Sequence, residues 1–198
     1  MTFRSRARGF LLGTVLSACG AAALGCAATP QQAVQEKLKA MESERTPEKL
    51  LARGHGFAVV GDMTRAEQYF ASAYEAGADE KVVLPLLIET CVSDGRYRSA
   101  IEYARPYAER HPEDVRIRFV LGTLYQAVGD YKAARAELEV VVKRAPGHAD
   151  AHYALAVLLR DEMSDASAAE TEFREYLRLA PQGPHAEEAR ASLTKATP

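Results

Sequence analysis

A spacing of 34 residues governs this chain: Gly61, Gly95 and Gly129 are separated by that interval, and so are Ala66, Ala100 and Ala134. Gly54, Ile88, Gly122 and Ala156 form a third series, and Phe57, Cys91, Tyr125 and Leu159 a fourth. Leu87, Leu121 and Leu155 form a fifth, whose column Arg53 breaks. Pro112 and Pro146 keep the interval and Pro181 follows at 35, which puts one extra residue in the turn Met163-Ser164-Asp165-Ala166-Ser167. Units of this length cannot bury their apolar faces alone. A sequence that repeats in phase at so many columns folds by stacking neighbours into a continuous core.

Each column has a physical reason. The glycines after Val60, Asp94 and Val128 end a first helix, where the left-handed conformation costs glycine least. Asp62 and Asp130 follow as N-caps of a second helix. Ala66, Ala100, Ala134 and Ala169 keep small the places where two antiparallel helices cross, and Gly54 and Gly122 do the same on the first helix. Phe70, Leu138 and Phe173 in one column, and Tyr107, Val141 and Tyr176 in another, fill the remaining contacts. Pro112, Pro146 and Pro181 close each second helix. Pro85 and Pro106 fall inside predicted helices, where a kink or a late helix start is expected.

This pattern resembles the tetratricopeptide repeat (TPR) family, with units at Pro47–Glu80, Lys81–Asp114, Val115–His148 and Ala149–Gln182. The expected fold is all-α, a TPR-like α-solenoid of about four helix-turn-helix repeats with flanking capping helices. One cap runs from Thr29-Pro30 to about Glu44, with Val34, Leu38 and Met41 as a thin apolar stripe, and could fold back over the groove. The other runs from about Pro184 to Lys195, with Ala186, Ala189 and Leu193 inward.

The N-terminus reads as an export signal. Met1 to Arg8 is basic and Gly9 to Leu16 is apolar or small, a run too short and too rich in small residues for a membrane span. Leu16-Ser17-Ala18-Cys19 resembles the bacterial lipobox, whose cysteine is acylated and becomes the new N-terminus; Ala23-Leu24-Gly25-Cys26 is an alternative. An ordinary cleaved signal ending near Ala21-Ala22-Ala23 or Cys26-Ala27-Ala28 would instead release a soluble periplasmic domain. The expected segments are 1–18 as signal peptide (to 25 if Cys26 is acylated), 19–46 as tether and N-terminal helix, 47–182 as the repeat array, and 183–198 as capping helix and tail. In enteric lipoproteins, Gly20 or Ala27 after the cysteine resembles outer-membrane cargo.

The net charge is −2 and falls to −5 when Arg4, Arg6 and Arg8 leave with the signal, which disfavours a nucleic-acid partner. Three cysteines make no disulfide framework, and Cys91 reads as a small core residue. His148 and His152 have a spacing that can hold a metal on one helix, but His148 falls in a turn and no third ligand is evident, so no metal and no cofactor are expected. No phosphate loop, nucleophile elbow or metalloprotease motif occurs, and the chain is read as not an enzyme.

In the TPR family the first helix of each pair lines a concave face. Here the resemblance implies a partner groove carrying Leu51, Pro85, Phe119 and Tyr153 in one column, His55, Glu89, Thr123 and Val157 in a second, and Glu48, Val82, Arg116 and Asp150 in a third. The Lys/Asn/Arg clamp of chaperone-binding members is missing. The groove is apolar with scattered charge, which suits a helix or an extended segment with hydrophobic anchors, from an envelope protein or as a peptide segment, and no small-molecule substrate is evident. The resemblance implies a scaffold or assembly factor, lipid-anchored at the outer membrane and facing the periplasm. The alternative is a soluble periplasmic accessory domain.

Overall fold

The computed structural model describes residues 30–195. The expected signal segment, with Cys19 and Cys26, lies outside the described residues. The chain divides into two units, residues 1–39 and 40–198. Helix α1, Pro30–Ser43, begins in the first and ends in the second. Its stripe of Val34, Leu38 and Met41 is exposed.

The second unit is an all-helical stack. Four helix pairs succeed one another: α2 (Pro47–Val59) with α3 (Met63–Glu75), α4 (Glu80–Ser93) with α5 (Tyr97–Arg110), α6 (Val115–Ala127) with α7 (Tyr131–Arg144), and α8 (Ala149–Asp161) with α9 (Ala166–Leu179). A terminal helix, α10 (Ala186–Lys195), packs on α9. From α3 to α9, each helix packs on the one before and the one after it, and among the described residues there is no strand. This is the expected solenoid of about four repeats.

The turn inside each pair is built by a left-handed residue. Gly61, Gly95 and Gly129 have φ of 81°, 69° and 80°. The N–H groups of Asp62, Arg96 and Asp130 then reach back five residues to the carbonyls of Phe57, Cys91 and Tyr125, which satisfies the last turn of the first helix. The fourth turn carries the extra residue. Asp165 reaches back six residues, to Leu159, and Ser164 takes the left-handed position at φ 54°. Side chains of Asp62, Asp130 and Asp165 cap the second helices, each accepting the N–H three residues on, whereas Arg96 occupies that place without capping. The first helices are also capped, by Thr46, Asp79, Asp114 and His148.

The crossings inside the pairs are close where the columns are small. Ala66, Ala100, Ala134 and Ala169 are all buried. A Cβ placed on Gly54 would come 2.5 Å from the Phe70 ring. In the second pair the sizes are exchanged: Ile88 stands where the others have Gly54, Gly122 or Ala156, and Ala104 stands opposite in the column of Phe70, Leu138 and Phe173. Ile88 and Ala104 belong to one buried cluster. The core is therefore a chain of clusters, centred on Phe70, Leu121 and Phe173 and linked repeat to repeat.

Two expectations need correcting. Of the kink or late start expected at Pro85 and Pro106, the late start does not occur, since α4 already begins at Glu80 and α5 at Tyr97. Packing on both sides holds the chain helical through each proline. The last helix begins at Ala186, two residues later than Pro184.

Candidate partner-binding face

The first helices α2, α4, α6 and α8 present the residues expected of a groove, and the structure sorts them into two kinds. His55, Val82, Glu89 and Arg116 are exposed. Leu51, Phe119, Tyr153 and Val157 are half-buried against the core clusters. Thr123 is half-buried and its hydroxyl donates to the Val120 carbonyl at 2.8 Å. Glu48, Pro85 and Asp150 are exposed.

Between α4 and α6 this face opens into a cleft with a volume of ≈ 420 Å³. Its floor is apolar: Leu84 and Ile88 from α4, Ile117 and Val120 from α6. Pro85, Glu89 and Val92 form one rim, and Lys81, Tyr107, Asp114 and Arg116 close one end. Of the predicted groove residues, the cleft gathers Pro85, Glu89 and Arg116. Leu51, His55, Val82, Phe119, Thr123, Tyr153 and Val157 are not among its walls. Leu84, Ile88, Ile117 and Val120, which the column reading assigned no part in binding, make its floor. The volume is in the range that holds a few side chains of a ligand.

Charge is distributed unevenly along this cleft. Arg116 is paired with Asp114 at 3.2 Å and its side chain is 84% exposed. That pairing raises the Arg116 pKa, and Asp114 is held below the usual carboxylate range by Arg116 against the opposing effect of its own partial burial. Lys81 and Glu89 have no side-chain partner among the described residues.

Tyr153 is a correction to the groove reading. Its ring stacks on His185 at 3.9 Å between centroids and packs beside Tyr176 at 5.3 Å. Its hydroxyl donates to Glu188 Oε2 at 2.6 Å. Burial and the neighbouring Glu188 push the phenol up to about 12. Arg160 joins the same group, reaching Glu188 Oε1 at 3.1 Å and the Ser192 hydroxyl at 2.6 Å. Tyr153 thus fastens α10 onto the last repeat, so it completes packing instead of standing free for a partner. Phe119 lies 4.8 Å from the His148 ring, again in a contact of the fold.

The histidines of the possible metal pair have other tasks. His148 Nδ1 accepts the Ala151 N–H at 3.2 Å and caps α8. His152 is buried, with Nδ1 2.5 Å from Glu172 and Nε2 3.1 Å from the Pro146 carbonyl. Among the described residues no group of three or more His, Cys, Asp and Glu is placed to hold a metal ion. Cys91 is fully buried, and burial, with Glu67 beside it, pushes its thiol up to about 12, so it stays protonated. Glu67 gathers Arg96, Tyr103 and Cys91 around one carboxylate at the junction of the first two repeats.

Residues 91–158 match the sequence model of the tetratricopeptide repeat. A search of curated proteins finds no match. Among solved structures, a tetratricopeptide repeat protein from Parabacteroides merdae is similar with a TM-score of 0.67 and 21% identity, over 75% of this chain and 59% of that one. YrrB, a TPR protein with an unusual peptide-binding site, has a TM-score of 0.65 and 20% identity, over 80% of this chain and 86% of its own. MamA from Desulfovibrio magneticus has a TM-score of 0.63 and 18% identity, over 78% and 89%. The fold is a TPR-like α-solenoid. The matched segment, 91–158, begins near the end of α4 and includes all of α5, α6 and α7, so it takes in the α6 wall of the cleft.

Proposed function

We propose that this chain is a non-enzymatic protein-binding scaffold or assembly factor, held at the bacterial envelope by an N-terminal lipid and facing the periplasm from the outer membrane. The observation that carries the binding reading is the apolar cleft between α4 and α6, whose floor is made by consecutive repeats and whose rim carries unpaired charge. Burying such a floor against a peptide segment releases water from apolar surface, and the rim charges orient the segment. The solenoid fold and the likeness to YrrB, with its peptide-binding site, support a peptide or protein as partner.

The anchor rests on the sequence Leu16-Ser17-Ala18-Cys19, or on Cys26. Two or three acyl chains on one residue hold stably, at about 0.8 kcal/mol for each buried methylene. The test combines fractionation with photo-crosslinking in cells. Cys19→Ala should release the protein from the membrane fraction. Release by Cys26→Ala alone would move the acylation to Cys26. A parent and two variants that all fractionate as soluble would favour the soluble periplasmic form. A photoreactive residue at Val92 should capture a discrete partner, and one at Glu139, which is exposed on the second helix α7, should not. Equal capture from both positions would sink the reading.

A further inference from the structure

Resting on the protein-binding reading above, we infer that the α4–α6 cleft selects an extended peptide segment with an acid and a base four residues apart, in either order, and an apolar residue midway between them, the acid meeting Lys81 and the base Glu89.

Three features of the cleft carry this. The first is its polarity. Lys81 stands at one end and Glu89 at the other, both exposed and both without a side-chain partner among the described residues. Most of the acidic and basic side chains around them are already committed: Arg116 to Asp114, and Arg110 to Glu80. Lys81 and Glu89 are eight residues apart on α4, which is about 12 Å along the helix axis. The second feature is the floor between them, formed by Leu84, Ile88, Ile117 and Val120, which accepts an apolar side chain.

The third feature is Pro85. It has no N–H, so the Lys81 carbonyl lacks the donor that an unbroken α-helix would give it. Lys81 and Pro85 both line the cleft. In the proposed complex the N–H of an extended backbone donates to that carbonyl, whereas the N–H groups of a helical ligand are occupied internally.

An extended chain advances about 3.3 Å per residue and sends alternate side chains to one side. Positions i and i+4 then lie about 13 Å apart on the same face, close to the Lys81–Glu89 separation. The acid meets Lys81, the base meets Glu89, and the apolar side chain at i+2 enters the floor. Either order of acid and base is accommodated, because an extended segment can run in either direction along the cleft, whereas a segment with two acids or two bases at these positions meets like charge at one end.

The experiment pans a displayed random 12-residue peptide library against the full chain immobilised through its C-terminus. Enriched peptides are then synthesised and their affinity measured by fluorescence anisotropy. The wild type should enrich an acid and a base four residues apart, in either order, with an apolar residue midway between them. Lys81→Glu changes one exposed side chain and should leave the helical circular dichroism unchanged. It should enrich base-x-apolar-x-base and bind the wild-type peptide about tenfold more weakly or worse. Pro85→Ala restores an N–H to the Lys81 carbonyl. It should raise Tm while weakening peptide binding about fivefold, a combination that loss of folding cannot produce. Enriched peptides without the pattern, or with a pattern indifferent to Lys81→Glu, would overturn this inference and leave the scaffold reading standing. No enrichment over an empty support would overturn both.

Discussion

Gly122 and Leu138 touch across the third helix pair so closely that a Cβ on Gly122 would lie 2.7 Å from the Leu138 Cγ. The Leu138 side chain is fully buried and cannot swing away. Gly122→Ala therefore gains helix propensity of about 1 kcal/mol but overpacks a filled crossing, which costs about 1–3 kcal/mol, so the net change is destabilising or at best neutral. Gly56 supplies the contrast, because it lies in α2 with nothing within 4 Å of its added Cβ. Gly56→Ala should stabilise by about 0.5–1 kcal/mol. Urea denaturation of the two variants checks this. If both shift the midpoint upward by equal amounts, the crossing at Gly122 is not tight.

Ser164 holds the left-handed position that glycine fills in the other three turns. An L-residue there costs roughly 1 kcal/mol relative to glycine. Ser164→Gly should raise Tm by a few degrees, with the same far-ultraviolet spectrum. A fall in Tm would mean that the Ser164 side chain contributes more than its backbone costs.

Tyr153 should behave as a structural residue. Tyr153→Ser removes a ring packed against Tyr176 and His185, and should destabilise by about 2–4 kcal/mol, discounted from the cost of a fully buried aromatic because Tyr153 is half-buried. In this variant the α10 amides should exchange faster with deuterium than those of α6. Unchanged stability would return Tyr153 to the set of free groove residues.

The Tyr153–Glu188 hydrogen bond also gives a pH dependence. Glu188 is held below the usual value of 4.5, first by the Tyr153 hydroxyl and also by Arg160, against the opposing effect of partial burial. A carboxylate with a lowered folded pKa contributes stability at pH above its unfolded value. That contribution is lost as pH falls through the lowered folded value. Tyr153→Phe should flatten the loss of Tm on acidification below about 4.5, with little change in slope at neutral pH. A parallel pair of Tm–pH curves would show that the bond does not shift Glu188 in solution.

Much of the architecture was legible in the residues because the repeat tests itself. Gly61, Gly95 and Gly129 needed positive φ for one geometric reason in three places, and Gly54 and Ala66 needed small size for one packing reason. Even the extra residue after Leu159 was visible, as the step from 34 to 35 between prolines. The way that residue is absorbed stayed hidden: Ser164 turns left-handed and the Asp165 bond lengthens its loop by one residue.

The cleft was legible only in part. Periodicity places Pro85, Glu89 and Arg116 on the first-helix face, since residues three and four apart share a helix side. It does not say which of the apolar residues on that face are sealed by the next element. Phe119 and Tyr153 hold equivalent columns to Pro85, yet both rings are engaged by residues later in the chain, His148 and His185. The sequence alone determined the stack, its turns and its capping aspartates, because these depend on local φ, side-chain size and spacing. Only the tertiary structure decided that an apolar cleft lies open between α4 and α6, because exposure is set by which neighbouring helix covers a side chain, and that neighbour is not part of the residue's own repeat.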